Sequence, residues 1–333
     1  MILTHLSIAF LFFIALLSLL LTLLFRHIAI KYSVIDIPNN RSSHSIPTPR
    51  GGGIAVIISL LCGMLYFYFN NQLDSKLFWS LILGIPLSII GFIDDIYNLK
   101  PGIRFSIQFI TAISGLLVLG GIKNLAFGFF TINSLLLIPL SIIAIIWCIN
   151  LFNFLDGIDG YIGMEIIFIG LAVFLLTNNI IGLLIVAAIL GFLILNWQPA
   201  KIFMGDVGST YLGYTVAIIA IYFNNNDSIP IINFLILTSV FWLDATITLL
   251  RRIRNKENLS QAHRKHAYQR IVQAGWSHQK TVFFVLILNI FNFALVLLAS
   301  KYKQYLLAFL FFNLIILYFA VHYVDKKKPF MKS

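Results

Sequence analysis

The stretch Asn150-Leu151-Phe152-Asn153-Phe154-Leu155-Asp156-Gly157-Ile158-Asp159-Gly160 sets two carboxylates and two side-chain amides between two long apolar runs. Asp156 and Asp159 are three residues apart, so on a helical turn they share a face. Gly157 and Gly160 allow the backbone to bend or to approach a ligand. Carboxylates at a membrane are costly and are kept for a cation, a proton or a substrate. A plain polar connector between helices needs neither paired Asp nor paired Asn, so the stretch is read as a site.

Four more stretches carry chemistry. Pro38-Asn39-Asn40-Arg41-Ser42-Ser43-His44 leads into Pro47-Thr48-Pro49-Arg50-Gly51-Gly52-Gly53. Glycines at the mouth of a span bring the backbone near an anion, with Arg50 beside them, although a flexible basic connector would look the same. In Asp94-Asp95-Ile96-Tyr97-Asn98-Leu99-Lys100, adjacent carboxylates suit Mg²⁺ held through phosphate oxygens, or a base beside a cation-orienting group. In Asn196-Trp197-Gln198-Pro199-Ala200-Lys201-Ile202-Phe203-Met204-Gly205-Asp206-Val207-Gly208-Ser209, Asp206 sits between glycines in a loop roomy enough for a hard cation. Phe203 there either stacks on a base or anchors the membrane interface. The last stretch runs from Arg251, Arg252 and Arg254 to His263-Arg264-Lys265-His266-Ala267-Tyr268-Gln269-Arg270. Its His-x-x-His spacing lacks a third soft ligand for zinc, and basic residues among histidines suit a polyphosphate or lipid headgroups.

Such residues must be positioned by membrane spans. Of 333 residues, 60% are hydrophobic and 11% charged, and mean hydropathy is +0.95. A soluble domain carries about 25% charged residues, so this is an all-α polytopic membrane protein. Cys62 and Cys148 fall inside apolar runs, which leaves neither a disulfide framework nor a thiolate metal site. Apolar runs at 6–25, 53–69, 77–93, 105–122, 132–149, 161–176, 180–195, 209–223, 230–250, 281–299 and 305–324 predict about eleven spans. The first lacks a basic leader and a cleavage site and is read as retained. With the N-terminus outside and the C-terminus cytoplasmic, Lys76, Lys123, Lys301 and Lys303 fall outside and the other nineteen basic residues inside. That asymmetry decides the orientation. The net charge of +11 therefore belongs to one membrane face, and nucleic acid is not an expected partner. The same map puts Asp94, Asp95, Asp156, Asp159 and Asp206 at the inner face. Asp244 lies within a span, where it should turn inward toward a basic or amide group. Residues 325–333 are expected to be a short basic cytoplasmic tail on a single transmembrane domain spanning 1–333, with Lys326, Lys327 and Lys328 against anionic headgroups.

These motifs resemble the polyprenyl-phosphate N-acetylhexosamine-1-phosphate transferase family, glycosyltransferase family 4. The resemblance rests on Asp94-Asp95-x-x-Asn98, Asn153-Phe-x-Asp156-Gly-x-Asp159-Gly160, Phe203-Met-Gly-Asp206-Val-Gly-Ser209, His263-x-x-His266 and Pro49-Arg50-Gly51-Gly52-Gly53. The family includes the phospho-N-acetylmuramoyl-pentapeptide transferase, which carries three neighbouring histidines where Ala267 and Tyr268 follow His266 here. Arg41-Ser42-Ser43-His44 resembles the O-antigen-initiating branch instead.

The resemblance implies transfer of a sugar 1-phosphate from a UDP-N-acetyl sugar to undecaprenyl phosphate, with UMP released and a lipid-linked surface glycan such as O-antigen begun. It implies Mg²⁺, with Mn²⁺ as a substitute, on Asp206. Substrate contacts would come from Arg50, Asn98, Asn153, Asp159, Phe203 and Arg264, with Phe203 and Asp159 as the uracil pocket. Asp94, Asp95, Asp156, His263 and His266 would be catalytic. The enzyme would sit in the bacterial inner membrane, its site on the cytoplasmic face, in contact with membrane lipids and either monomeric or homo-oligomeric. A transporter or lipid-linked sugar flippase is the main alternative, but transporters place substrate groups near mid-bilayer between repeated halves, and no repeat is present here.

Overall fold

The computed structural model describes residues 5–38, 43–44, 46–97, 99–259, 261 and 263–331. It is a helical bundle: α1 (His5–Lys31), α2 (Gly53–Phe69), α3 (Ser75–Ile82), α4 (Ile85–Tyr97), α5 (Pro101–Leu119), α6 (Leu137–Leu155), α7 (Tyr161–Thr177), α8 (Ile180–Asn196), α9 (Asp206–Asn225), α10 (Ile231–Leu237), α11 (Ser239–Arg254), α12 (Ala267–Gln273), α13 (His278–Lys301) and α14 (Leu306–Lys327). Each predicted run coincides with a helix or with a consecutive pair, α3 with α4 and α10 with α11.

Among the described residues seven spans are long and apolar enough to cross a membrane, and α10 with α11, bent by 77°, would make an eighth. The other apolar helices, α2, α7 and α8, are 17 residues each and sit in the middle. Such central helices face protein rather than lipid, so their length is set by packing. A Cβ on Gly170 of α7 would come within 2.7 Å of the Gly182 carbonyl oxygen of α8, so glycine is what allows these backbones to touch.

The helix ends sort into two faces. Ser7, at the start of α1, bonds Gln72 in the α2–α3 turn, whereas Arg26, near its end, reaches the carbonyl of Lys201 in the α8–α9 loop. At the second face α14 finishes, where Asp325 meets Arg251 and Arg270. The start of α1 and the end of α14 thus lie at opposite ends of the bundle. Every polar motif described gathers at the second end.

Two short antiparallel clasps tie the loops. At the site end β1 (Ile35–Asp36) pairs with β2 (Thr48–Pro49), and at the far end β3 (Leu125–Ala126) pairs with β4 (Thr131–Ile132). Lys123 bonds Asp227 at 3.0 Å at that far end.

Candidate active site

A cavity of about 330 Å³ opens at the site end. Asp95 reaches it from the end of α4, Asn153 and Asp156 from the end of α6, and Asn196 from the end of α8. Ile158 and Asp159 enter just before α7, Asp206 opens α9, Gln269 sits in the first turn of α12 and His278 opens α13. Asp36, His44, Arg50 and Phe203 close it from the loops. Several helix N-termini, with their positive dipole ends, therefore converge where carboxylates and one arginine meet. That arrangement receives anions.

Local folding explains the positions. Asp156 caps α6, and a turn carries the chain to Gly160, whose φ of +73° suits glycine. Asp156 and Asp159 therefore reach the cavity across a turn and not along one helical face. Asn196 braces this turn, accepting from the Gly160 N–H at 3.1 Å and donating to the Ile202 carbonyl at 3.0 Å. The Asp159 carboxylate accepts from the Ala200 N–H at 3.1 Å, and its own N–H donates to His278 Nδ1 at 3.3 Å.

The glycine run after Arg50 is a packing device. The N–H groups of Gly52 and Gly53 are given to the carbonyls of Phe203 and Met204, both at 2.9 Å, so they do not cradle an anion. A Cβ on Gly53 would lie 2.5 Å from the Gly208 Cα, so glycines let the starts of α2 and α9 abut. This seam fixes Arg50 and Phe203 on one wall, with Phe203 edge-on to His44 at 4.8 Å. Arg50 bonds Asp36 at 2.7 Å and lies 3.9 Å from Asp95.

The Asp94-Asp95 pair is divided. Asp95 looks into the cavity, and its Oδ2 lies 3.5 Å from the Val207 N–H at the start of α9. Asp94 turns the other way, accepting from the Leu99 N–H at 2.7 Å and from Arg104 at 2.6 Å. Arg104 also stands 3.5 Å from Asp206. Asp206 borders both the main cavity and a small pocket lined by Asp94, Arg104, Gln108 and Thr210.

Among the residues named from sequence, Arg50, Asp95, Asn153, Asp156, Asp159, Phe203 and Asp206 line the cavity. Asp94, His263, Arg264 and His266 do not, and Asn98 lies outside the described residues. The rings of His263 and His266 lie 4.9 Å apart, tilted by 39°, and His266 opens α12 with its Nδ1 3.7 Å from Asp244. Asp244 turns inward as expected and holds α12 by its start, accepting from the N–H groups of Ala267 at 2.7 Å and Tyr268 at 3.2 Å. Asp36 and His278 were not singled out in the sequence. Their signals are an acid in the loop after α1, ahead of Arg50, and a histidine opening a span after a Ser277 cap.

Charge in the cavity is unbalanced. Asp36, Asp95, Asp156, Asp159 and Asp206 line it, against Arg50. Burial first, then the charges of Asp206 and Asp95, push the Asp156 carboxyl up to about 7. At an effective dielectric of about 20, two like charges 4 Å apart repel by about 4 kcal/mol, while a hydrogen bond returns about 1 kcal/mol. Hydrogen bonds alone do not offset that surplus, and a bound cation would. Among the described residues no three His, Cys, Asp or Glu side chains form a metal cage. The carboxylates that line the cavity have the chemistry for an ion held by one or two of them together with ligand phosphates and water, as Mg²⁺ is held.

A model of glycosyl transferase family 4 matches residues 77–224. A probable undecaprenyl-phosphate N-acetylglucosaminyl 1-phosphate transferase of Bacillus subtilis strain 168 is 31% identical over 347 residues, covering 96% of this chain and 94% of that protein. The undecaprenyl-phosphate alpha-N-acetylglucosaminyl 1-phosphate transferase of Escherichia coli K12 is 30% identical over 83% of this chain and 77% of its own length. A decaprenyl-phosphate N-acetylglucosaminephosphotransferase of Mycobacterium leprae is 26% identical over 78% of this chain and 75% of its own.

Proposed function

The chain belongs to the polyprenyl-phosphate N-acetylhexosamine-1-phosphate transferase family, and on that premise we propose that the cavity binds a UDP-N-acetyl sugar and passes its sugar 1-phosphate to undecaprenyl phosphate. The transferase class and the polyprenyl phosphate acceptor follow from the relatives. The UDP donor, the N-acetylated sugar and Mg²⁺ are the finer proposal, as are the bacterial inner membrane, the cytoplasmic location of the site and a start to O-antigen-type glycans. The observation that carries it is the carboxylate surplus beside Arg50 where helix N-termini converge.

An acceptor phosphate oxygen forms a bond to the β-phosphorus of the donor. The bond from that phosphorus to the bridging oxygen breaks, and UMP leaves with the oxygen. The lipid phosphate is already ionised near neutral pH, so positioning and charge neutralisation matter more than a base. Arg50, held by Asp36, faces the donor phosphates. Asp206, with Asp95 or Asp156, would hold Mg²⁺, which would supply charge neutralisation on the diphosphate. Asp206 borders both pockets, and the acceptor phosphate would approach from the side of Arg104 and Asp94. His263 and His266 act from behind, through the loop that carries α12.

Purified protein in lipid nanodiscs, given undecaprenyl phosphate and a panel of UDP-sugars, should release UMP only with both substrates and with added Mg²⁺ or Mn²⁺. Turnover in chelator would remove the metal from this reading. Release without a lipid acceptor would remove the transfer.

A further inference from the structure

A second crevice, of about 50 Å³, lies on the α13–α14 side of α12. Among the described residues it shares no lining side chain with the reaction cavity. Phe284 and Leu288 of α13 form one wall, and Ala320, Val321 and Val324 of α14 form the other. At roughly 10–15 Å³ per water-sized group, that is room for about four methylenes. Phe284, Leu288 and Ala320 are half-buried, so the crevice is open at the surface of the bundle. Walls of this kind stay dry and take an apolar chain.

The site-end mouth of the crevice is cationic. Trp276, just ahead of α13, lies 5.6 Å from Phe284 and 6.3 Å from Tyr323 of α14, ring to ring. Lys280 Nζ stands 4.4 Å over the Trp276 ring, and Lys327 Nζ stands 5.8 Å over the Tyr323 ring. Cation–π attraction steadies both ammonium groups and leaves their N–H donors free for an anion. Among the described residues the lysines that meet a carboxylate are Lys123 and Lys265, so Lys280 and Lys327 are unpaired. Two unpaired lysines with a Trp and a Tyr at a membrane interface suit a lipid phosphate.

The inner end of the crevice is the start of α12. Asp244, Ala267 and Tyr268 line it, and Asp244 accepts the two N–H groups that begin α12. Val321 and Val324 pack with Ala267 and Ile271 in one apolar cluster, with Trp276 against it. Whatever fills the crevice therefore bears on α12.

We propose that the crevice binds one acidic phospholipid of the surrounding membrane, its phosphate between Lys280 and Lys327 and one acyl chain between α13 and α14, and that this lipid braces α12. A narrow crevice favours an unbranched acyl chain over the methyl-branched chain of a polyprenyl phosphate. The acceptor, by contrast, would approach from the side of Arg104 and Asp94.

The test uses full-length protein in detergent, titrated with phosphatidylglycerol or phosphatidylcholine. Bound lipid is counted by native mass spectrometry, and amide hydrogen exchange is followed along α12. Phosphatidylglycerol should bind about tenfold more tightly than phosphatidylcholine, as two lysines near an anionic headgroup supply, and should slow exchange at 267–273. Lys280→Gln with Lys327→Gln should abolish both the preference and the added protection. Lys301→Gln with Lys303→Gln makes the same change of charge at the far end and should keep both. Ala320→Phe, which fills the crevice and leaves the lysines in place, should weaken phosphatidylglycerol about as much as the site-end pair does. Equal affinity for the two lipids in the parent, or equal losses from the site-end and far-end pairs, overturns the site. Phosphatidylglycerol that binds without slowing exchange at 267–273 overturns the brace. Displacement of bound phosphatidylglycerol by equimolar undecaprenyl phosphate would give the crevice to the acceptor and overturn the phospholipid as its occupant.

Discussion

The site end of the bundle holds two basic corners whose charges are handled differently. At the cavity and the small pocket beside it, Arg50 and Arg104 lie among carboxylates that outnumber them: Asp36, Asp94, Asp95, Asp156, Asp159 and Asp206. Behind α12 four cations are each matched to a carboxylate partner, two cations to each acid. Arg251 and Arg270 share Asp325 at 2.7 and 2.6 Å, and Arg252 and Lys265 share Glu257 at 3.3 and 2.7 Å. The Phe330 ring lies under Arg251, Lys265 and Arg270 at 5.4 to 5.6 Å. Carboxylates without a cation partner mark where a ligand and its counter-ion belong, whereas cations each tied to a carboxylate and an aromatic ring mark a scaffold. Both corners are rich in arginine in the sequence, and only the distribution of acids in space tells them apart.

The largest effect should come from the unbalanced corner. Asp206→Asn keeps size and one oxygen but removes the charge that would face the cation, so kcat should drop by about a thousandfold or more with the melting temperature unchanged. UMP release under Mg²⁺ titration, beside a thermal melt, checks both. An active Asp206→Asn protein would break the comparison at its root and reopen the transporter reading. Asp95→Asn should cost about a hundredfold in turnover, again without loss of stability, because its contacts with Arg50 at 3.9 Å and the Val207 N–H at 3.5 Å are long. Asp94→Asn should instead lose stability along with activity, since Asp94 is bonded to Arg104 and the Leu99 N–H. Identical behaviour of the two aspartates would mean that the division between them has no functional meaning.

Asp244 joins the corners. Its carboxylate holds the start of α12, and α12 brings Gln269 to the cavity. Asp244→Asn keeps one acceptor for those N–H groups, so activity should fall about tenfold and stability by about 1 kcal/mol. Full activity at intact yield would leave Asp244 a packing residue. Within the matched corner, Asp325→Asn removes a partly exposed partner of two arginines and should cost about 1–3 kcal/mol. Turnover measured well below the melting point should stay within about threefold of the parent. A selective collapse of activity there would show that the corner serves catalysis and not only support.

Legibility followed the same divide. Apolar runs near span length show in a sequence whatever their surroundings, so each predicted run became a helix or a consecutive pair. The short central helices show why span number is harder to read, since burial in protein removes the length that lipid imposes. Asp156, Asp159 and Asp206 were legible because carboxylates flanked by glycine between apolar runs have few structural uses. Their geometry was not: a three-residue spacing suggested a helical face, and a capped turn placed both at the cavity. The histidine loop was legible as chemistry but not as position. His266 is drawn back by Asp244, a contact between residues 22 apart that no local pattern encodes. His278 was missed because a lone histidine at a helix start gains meaning only from Asp159, far away in the chain.

The smallest effect expected is at His263, where the comparison can be sharpened by pH. Burial first, then the neighbouring charges of His266, Arg252 and Lys265, push its pKa from 6.5 down to about 3. Burial and those charges therefore favour the neutral form of His263 in the folded protein, and another group is expected to shape the acid limb. Below 6.5 the unfolded chain takes up a proton that the folded chain refuses, so stability declines from pH 6.5 toward 3. Glu257 pulls the same way at lower pH. Burial alone would raise its pKa, but hydrogen bonds from Lys265, Asn255 and Arg252 hold it at about 2 against an ordinary 4.5. Its contribution is complete above 4.5 and is lost as pH falls toward 2. His263→Asn should therefore leave the acid limb of kcat/KM where it is, while flattening the loss of melting temperature between pH 6.5 and 5. An acid limb that moves with His263→Asn would show that this histidine titrates in the working enzyme, which would place the matched corner inside the reaction after all.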